Sequence, residues 1–206
     1  MKRLIFTCIC VSLLLFGINT AASADVLTFD DISPVDDIPA GSYTQLGSYD
    51  GFVFQNFYAY QDSMYNANYT PQVTFPSSPN AVLNGWGTTA FISVGSGYFD
   101  FNGAYFLGAG IGSVNASPSI TVVGYRDGVL VGSADTSLSI DGFTWLAANI
   151  SGVNQLEFDV PGSNYAFLMD NFTYNAGDPV PEPCTLLLVG FGLVGLTAYR
   201  KKFSNY

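Results

Sequence analysis

Between residues 25 and 175 the apolar positions recur with the period of two that marks β-strands burying one face. Val26-Leu27-Thr28-Phe29 opens this stretch, and residues 52–57 (Phe-Val-Phe-Gln-Asn-Phe) follow a proline-bearing acidic loop. Strand-like runs resume at 81–83, 90–94, 98–101, 104–107, 120–125 and 129–133, then at 138–140, 143–147, 155–160 and 165–174. Arg126-Asp127-Gly128 sits between two of these runs and reads as a hairpin turn, because glycine enters the φ > 0 region freely. Asp141-Gly142 gives a second Asp-Gly turn. No segment inside the stretch carries a helical period. Ten to twelve short strands separated by turn residues predict an all-β fold, an antiparallel β-sandwich of jelly-roll type. No internal repeat divides it.

The two ends of the chain depart from this pattern. Lys2 and Arg3 precede an apolar run over residues 4–18, and Ala22-Ser23-Ala24 stands before Asp25. That order is a secretory signal, with Ala22, Ala24 and Asp25 framing the cleavage site. At the other end Val180-Pro181-Glu182-Pro183 precedes an apolar run that closes on Arg200, Lys201 and Lys202. Pro181 and Pro183 lack N–H donors, so a helix starting after them cannot extend backwards. The apolar run gives a helix of about 14–16 residues, short of the roughly 20 needed to cross a bilayer core without thinning it. The basic end would stay in the cytoplasm. The organisation read from the sequence is a signal peptide at 1–24, a β-domain at 25–175, a linker at 176–183 and a hydrophobic helix with a basic tail at 184–206.

Motif, order and position of that tail resemble the PEP-CTERM sorting signal of Gram-negative bacteria, read by membrane proteases called exosortases. The resemblance implies a precursor anchored in the inner membrane, cut by signal peptidase and an exosortase-type protease, and passed to the cell surface or exterior. An ordinary single-span anchor is the plain alternative. Proteins of this kind travel with extracellular polysaccharide systems, so the resemblance also implies a place in a surface or biofilm matrix. A second likeness concerns the domain. Residues 27–31 (Leu-Thr-Phe-Asp-Asp) and 167–172 (Phe-Leu-Met-Asp-Asn-Phe) look like the terminal strands of jelly-roll carbohydrate-binding modules. Those modules often hold a structural calcium between first and last strands, which implies Asp30, Asp31, Asp170 and Asn171 as ligands here. A solvated strand end and an edge residue are the competing account.

Composition narrows the chemistry. Sixteen acids face six basic residues, for a net charge of −10. Between Asp25 and Val180 Arg126 is the lone basic residue, and every acid except Glu182 lies there. Such a surface repels phosphate backbones, which excludes nucleic acid as a partner. There is no histidine, and the three cysteines (Cys8, Cys10, Cys184) all fall in the terminal signals. The domain therefore folds without disulfides, and the histidine and cysteine needed for triad or zinc chemistry are missing. No catalytic residue is assigned. The expected work is non-catalytic, as an adhesive, structural or glycan-binding surface protein. The alternative is a secreted glycan hydrolase using a carboxylate pair. Sugar faces stack on exposed aromatic rings, which makes Tyr58, Tyr60, Tyr65 and Trp86 the candidate glycan residues. Packing of those rings in the core is the competing account.

Overall fold

The computed structural model describes residues 24–32 and 44–176. In chain order these form β1 (Asp25–Leu27), β2 (Thr44–Tyr49), β3 (Phe52–Gln61), α1 (Asp62–Asn68), β4 (Asn80–Asn84), β5 (Ala90–Val94), β6 (Phe99–Gly108), β7 (Asn115–Ala116), β8 (Ser119–Arg126), β9 (Val129–Ser137), β10 (Thr144–Val153), β11 (Gln155–Asp159) and β12 (Tyr165–Ala176). The expected signal helix and hydrophobic C-terminal helix fall outside the described residues.

The protein is all-β, and its sheet runs β10-β6-β12-β4-β3-β5-β11-β8-β9. Every pairing along that path is antiparallel. The sheet folds over until β10, at one end, lies against β8 and β9 at the other. This nearly closes it into a β-sandwich. Close approach there needs a residue without a side chain. A Cβ on Gly124 of β8 would come within 2.6 Å of Ile150 Cγ2 and 2.8 Å of Val153 Cγ1 on β10.

One strand position explains how the sheet splits into two layers. Residues 57–61 of β3 pair with β4, and residues 52–55 pair with β5. β4 and β5 thus run as a single interrupted strand along β3. The interruption is residues 85–89, and β3 carries its own irregularity opposite, where Asn56 takes φ 62°. Beyond the break, β4 is flanked by β12 while β5 is flanked by β11.

Between the layers lies an aromatic core. Phe29, Phe54, Phe57, Phe99, Phe101, Phe106, Phe158, Phe167 and Phe172 are fully buried. Phe158 sits at its hub, with its ring centroid 5.3 Å from Phe57, 6.3 Å from Phe101, 6.2 Å from Phe106 and 6.3 Å from Phe167. The contacts to Phe57 and Phe101 are edge-on, the one to Phe106 is tilted and the one to Phe167 is stacked, all geometries other than the face-to-face sandwich that ring quadrupoles disfavour.

A second apolar cluster lies on the opposite face of β3, β4, β6 and β12. Tyr60, Leu83, Leu107 and Leu168 are buried there beneath α1 and the segment bearing Val73 and Phe75. α1 corrects the expectation of a helix-free domain. Seven residues are too few for a helix to hold alone, so tertiary contacts fix it. Tyr65 is buried, and Asn66 exchanges two hydrogen bonds with the backbone of Val73 at 2.9 and 2.8 Å. β2 is a further addition, paired to β3 through an Asp50-Gly51 turn with both φ positive. The turn at Asp127-Gly128 likewise has both φ positive and joins β8 to β9, whose register shifts once, between Gly124 and Tyr125. Asp141-Gly142, by contrast, lies in a bend between β9 and β10, which do not pair in the ladder.

Truncating the hub tests this account of the core. Phe158→Ala is expected to cost about 3–5 kcal/mol, read as a lower denaturation midpoint. A loss under about 1 kcal/mol, the scale of an exposed site, would refute the central role of that ring.

Candidate functional site

The break between β4 and β5 builds the most distinctive surface of the domain. Gly85-Trp86-Gly87 forms a single tight turn there, with Trp86 in the left-handed region at φ 53°, ψ 23°. A bulky residue in this conformation is uncommon, and such residues cost on the order of 1–3 kcal/mol. The ring gains little burial in return, since Trp86 is 67% exposed.

Hydrogen bonds hold the turn in place. The Asn56 side-chain amide donates to the Gly85 carbonyl at 3.2 Å, to Thr88 Oγ1 at 2.8 Å and to the Thr89 carbonyl at 2.9 Å. Asn84, fully buried, donates to the carbonyls of Thr88 and Tyr165 at 3.0 Å each and accepts from the Phe167 N–H at 2.8 Å. Glycine is required on both sides of the tryptophan. A Cβ on Gly85 would lie 2.3 Å from Tyr58 Cε2, and one on Gly87 would lie 2.5 Å from the Tyr165 nitrogen.

Facing this turn is a second one, Ile111 to Val114, closed by reciprocal backbone bonds of 3.1 and 3.0 Å. Asn164 ties the two together. Its N–H donates to the Gly87 carbonyl at 3.0 Å, and its side chain donates to the Ser113 carbonyl at 3.2 Å. Between them opens a cleft of about 230 Å3, with Trp86 and Tyr58 on its walls and Leu83, Ile111, Val114 and Ala166 among its lining. Among the described residues no charged side chain lines it.

Of the four aromatic candidates, the structure brings Tyr58 and Trp86 together in this cleft. Tyr60 and Tyr65 are corrections: each is only 4% exposed and belongs to the second apolar cluster, so neither offers a face to a ligand. Their polar neighbours in sequence mark α1 and its entry rather than a binding loop. The facing turn at 111–114 and the tether Asn164 escaped the sequence reading. The Ile-Gly-Ser-Val run signals a turn, but nothing in it indicates which surface it faces.

The four calcium candidates have different partners. Asp31 accepts a hydrogen bond from the Tyr49 hydroxyl. Asp30 accepts from the Asn80 N–H at 3.1 Å. Asp170 is fully buried and accepts from the Ser77 N–H at 2.8 Å, the Ser77 hydroxyl at 2.7 Å and the Asn171 N–H at 2.7 Å. Asn171 Oδ1 is buried without a partner. Calcium wants six to eight oxygens turned toward it. Here three protein donors already engage the Asp170 carboxylate, and Asp31 accepts from the Tyr49 hydroxyl. Among the described residues no three acidic side chains cluster as metal ligands. Burial instead raises the Asp170 pKa to about 6; the bonds from Ser77 and Asn171 pull it back in part, and the nearby charge of Asp30 adds to the rise.

Comparison with known proteins places the tail first. Residues 179–202 match the family model described as the PEP-CTERM protein-sorting motif. The chain carries a PEP-CTERM sorting motif. Val180, Pro181, Glu182, Pro183, Arg200, Lys201 and Lys202 all fall within the match, outside the described residues. The PEP-CTERM tail makes this an exported surface protein, anchored in the membrane as a precursor and processed by an exosortase. Among the described residues no helix is long and apolar enough to cross a membrane. Of the expected signal cleavage site, Ala22 is outside the described residues, while Ala24 and Asp25 are exposed where β1 begins.

The domain ahead of the PEP-CTERM tail has likenesses of fold only. A DUF4465 family protein from Bacteroides caccae superposes with a TM-score of 0.53 at 14% identity, over 75% of this chain and 99% of that one. The K2 cleaved adhesin domain of Lys-gingipain superposes with a TM-score of 0.43 at 11% identity, over 76% of this chain and 100% of that one. No curated protein matches the chain in sequence.

Three measurements follow from the site and the tail. Asp170 binds its proton more tightly folded (about 6) than unfolded (3.8). Its contribution to stability is therefore full below pH 4 and is lost as pH rises through 6, by about 3 kcal/mol. Denaturation midpoints of the protein and of Asp170→Asn, compared between pH 4.5 and 7, should differ in slope in that sense; parallel profiles would refute it. A chelator at pH 7 should leave the melting temperature unchanged, and a fall would restore calcium at Asp30 and Asp170. Separately, deleting residues 185–206 should yield freely secreted protein with no membrane-bound precursor, whereas unchanged membrane retention on fractionation would sink the tail's role.

Proposed function

We propose that this exported protein is a non-catalytic, glycan-binding component of the cell surface or extracellular matrix, and that the Trp86 cleft is where it meets its ligand. The observation that carries the reading is Trp86 itself. A tryptophan held in a costly backbone conformation, two-thirds exposed, and braced by Asn56, Asn84 and Asn164 is placed for contact with something outside the fold. An indole face beside a tyrosine suits the C–H face of a sugar ring. The exosortase route, which accompanies extracellular polysaccharide, would deliver the domain to such a ligand.

A hydrolytic role has less to draw on. Glycoside hydrolysis needs two carboxyl groups facing each other across the substrate. Among the described residues no acid lines the Trp86 cleft. Asp170, whose pKa is raised, is fully buried and engaged by Ser77.

Binding to immobilised polysaccharide from the host, measured with Trp86→Ala beside the unaltered protein, tests the reading. Affinity should fall at least tenfold with the melting temperature nearly unchanged, since the ring contributes little burial. Undiminished binding by the variant would overturn the site. Release of reducing sugar, abolished by one Asp or Glu substitution, would overturn the non-catalytic reading.

A further inference from the structure

The lining of the Trp86 cleft specifies more than a sugar. Its inner surface is aliphatic, with Leu83, Ile111 and Ala166 buried and Val114 half-buried. Asn84 also lines it, but both of its N–H groups are spent on the carbonyls of Thr88 and Tyr165 and its oxygen accepts from Phe167. A hydroxyl directed in among Leu83, Ile111, Val114 and Ala166 would exchange water for carbon neighbours, which is unfavourable. A methyl group directed inward would leave water with a gain.

Charge and size restrict the ligand further. Among the described residues no basic side chain lines the cleft. Arg126, the lone basic residue between Asp25 and Val180, is engaged elsewhere, over the Tyr98 ring and with the Gly152 carbonyl. Asp159 lies beside the turn instead, accepting from Thr89 Oγ1 at 3.2 Å. A carboxylated or sulfated sugar would meet negative charge and no counter-charge. At about 230 Å3 the cleft is also smaller than the roughly 300–1,000 Å3 of sites that enclose drug-sized ligands. It admits one ring's substituent rather than a chain segment.

We infer that the cleft between the Trp86 turn and the Ile111–Val114 turn takes the apolar substituent of one uncharged sugar unit, a deoxy-sugar methyl or an acetyl methyl. The ring itself rests on Trp86. This rests on the glycan reading above and sharpens it to a ligand class. The methyl group enters among Leu83, Ile111, Val114 and Ala166, and the remaining hydroxyls stay in water at the rim. Recognition is then insensitive to salt, because no ion pair forms.

Titrating the full-length protein with the methyl glycosides of N-acetylglucosamine, L-fucose, glucose and glucuronic acid separates the outcomes. N-acetylglucosamine or L-fucose should bind at least tenfold more tightly than glucose and glucuronic acid, with little change between 50 and 500 mM salt. Val114→Thr, which exchanges one lining methyl for a hydroxyl, should narrow that preference severalfold without moving the melting temperature. Equal or tighter binding of glucose or glucuronic acid, abolished by Trp86→Ala, would overturn this inference and leave the glycan reading standing. So would a preference that Val114→Thr leaves untouched. Failure of all four sugars to bind in a Trp86-dependent way would take down both.

Discussion

Where β3 passes the gap between β4 and β5, the ladder has no backbone partners to offer, and asparagine side chains make the missing hydrogen bonds. Asn56 and Asn84 between them satisfy the carbonyls of Gly85, Thr88, Thr89 and Tyr165 and the N–H of Phe167. Unpaired backbone groups at a buried break would be prohibitive, so this exchange is what allows the strand to be interrupted at all. Everything distinctive depends on it. The interruption lets β4 join β12 while β5 joins β11, and the five residues it releases carry Trp86 outward.

The aromatic core supplies the stability that tolerates such a device. The domain has no cysteine and a single basic residue, so neither disulfides nor a web of ion pairs stiffens it. Burial of large rings must do that work, and Phe57 joins the two functions. It packs on Phe158 and Phe167 in the core while its backbone pairs with Asn84 at the edge of the break. The break that carries Trp86 is thus tied to the aromatic core.

Much of the fold was legible in the sequence because two signals are local. Alternation located most strands, and Asp127-Gly128 located a hairpin. The same Asp-Gly signal stands at Asp50-Gly51, yet β2 was missed because Leu46 and Tyr49 alone are apolar in a strand otherwise made of Thr44, Gln45, Gly47 and Ser48. α1 was hidden for a different reason: its helical state is imposed by Asn66 and the cover above it, not by its own periodicity. The misplacement of Tyr60 and Tyr65 has a readable cause. Ala81-Val82-Leu83 and Phe167-Leu168-Met169 are continuous rather than alternating apolar runs, the pattern of strands covered on both faces. That pattern implied a second layer, and a second layer needs rings to fill it. Of the candidate site, Trp86 between two glycines was visible; Asn164 and the 111–114 turn were not, because they meet it only through the topology.

Asp170 shows how the second layer is secured at its end. A carboxylate placed there meets three donors but no positive charge, so its hydrogen bonds and its desolvation oppose one another. The bonds pin Ser77, and through it the segment that roofs Leu83, Leu107 and Leu168. Burial meanwhile favours the protonated form, in which the carboxyl gives up part of its strength as an acceptor. A neutral amide at this position would avoid the charge but would turn one N–H against the Ser77 N–H or the Asn171 N–H. The acid is therefore the better acceptor for three donors despite its burial, and the roof it fastens also covers Leu83, whose other neighbours line the cleft beneath Trp86. Leu83 and Ile111 thus belong both to the layer under that roof and to the lining of the Trp86 cleft.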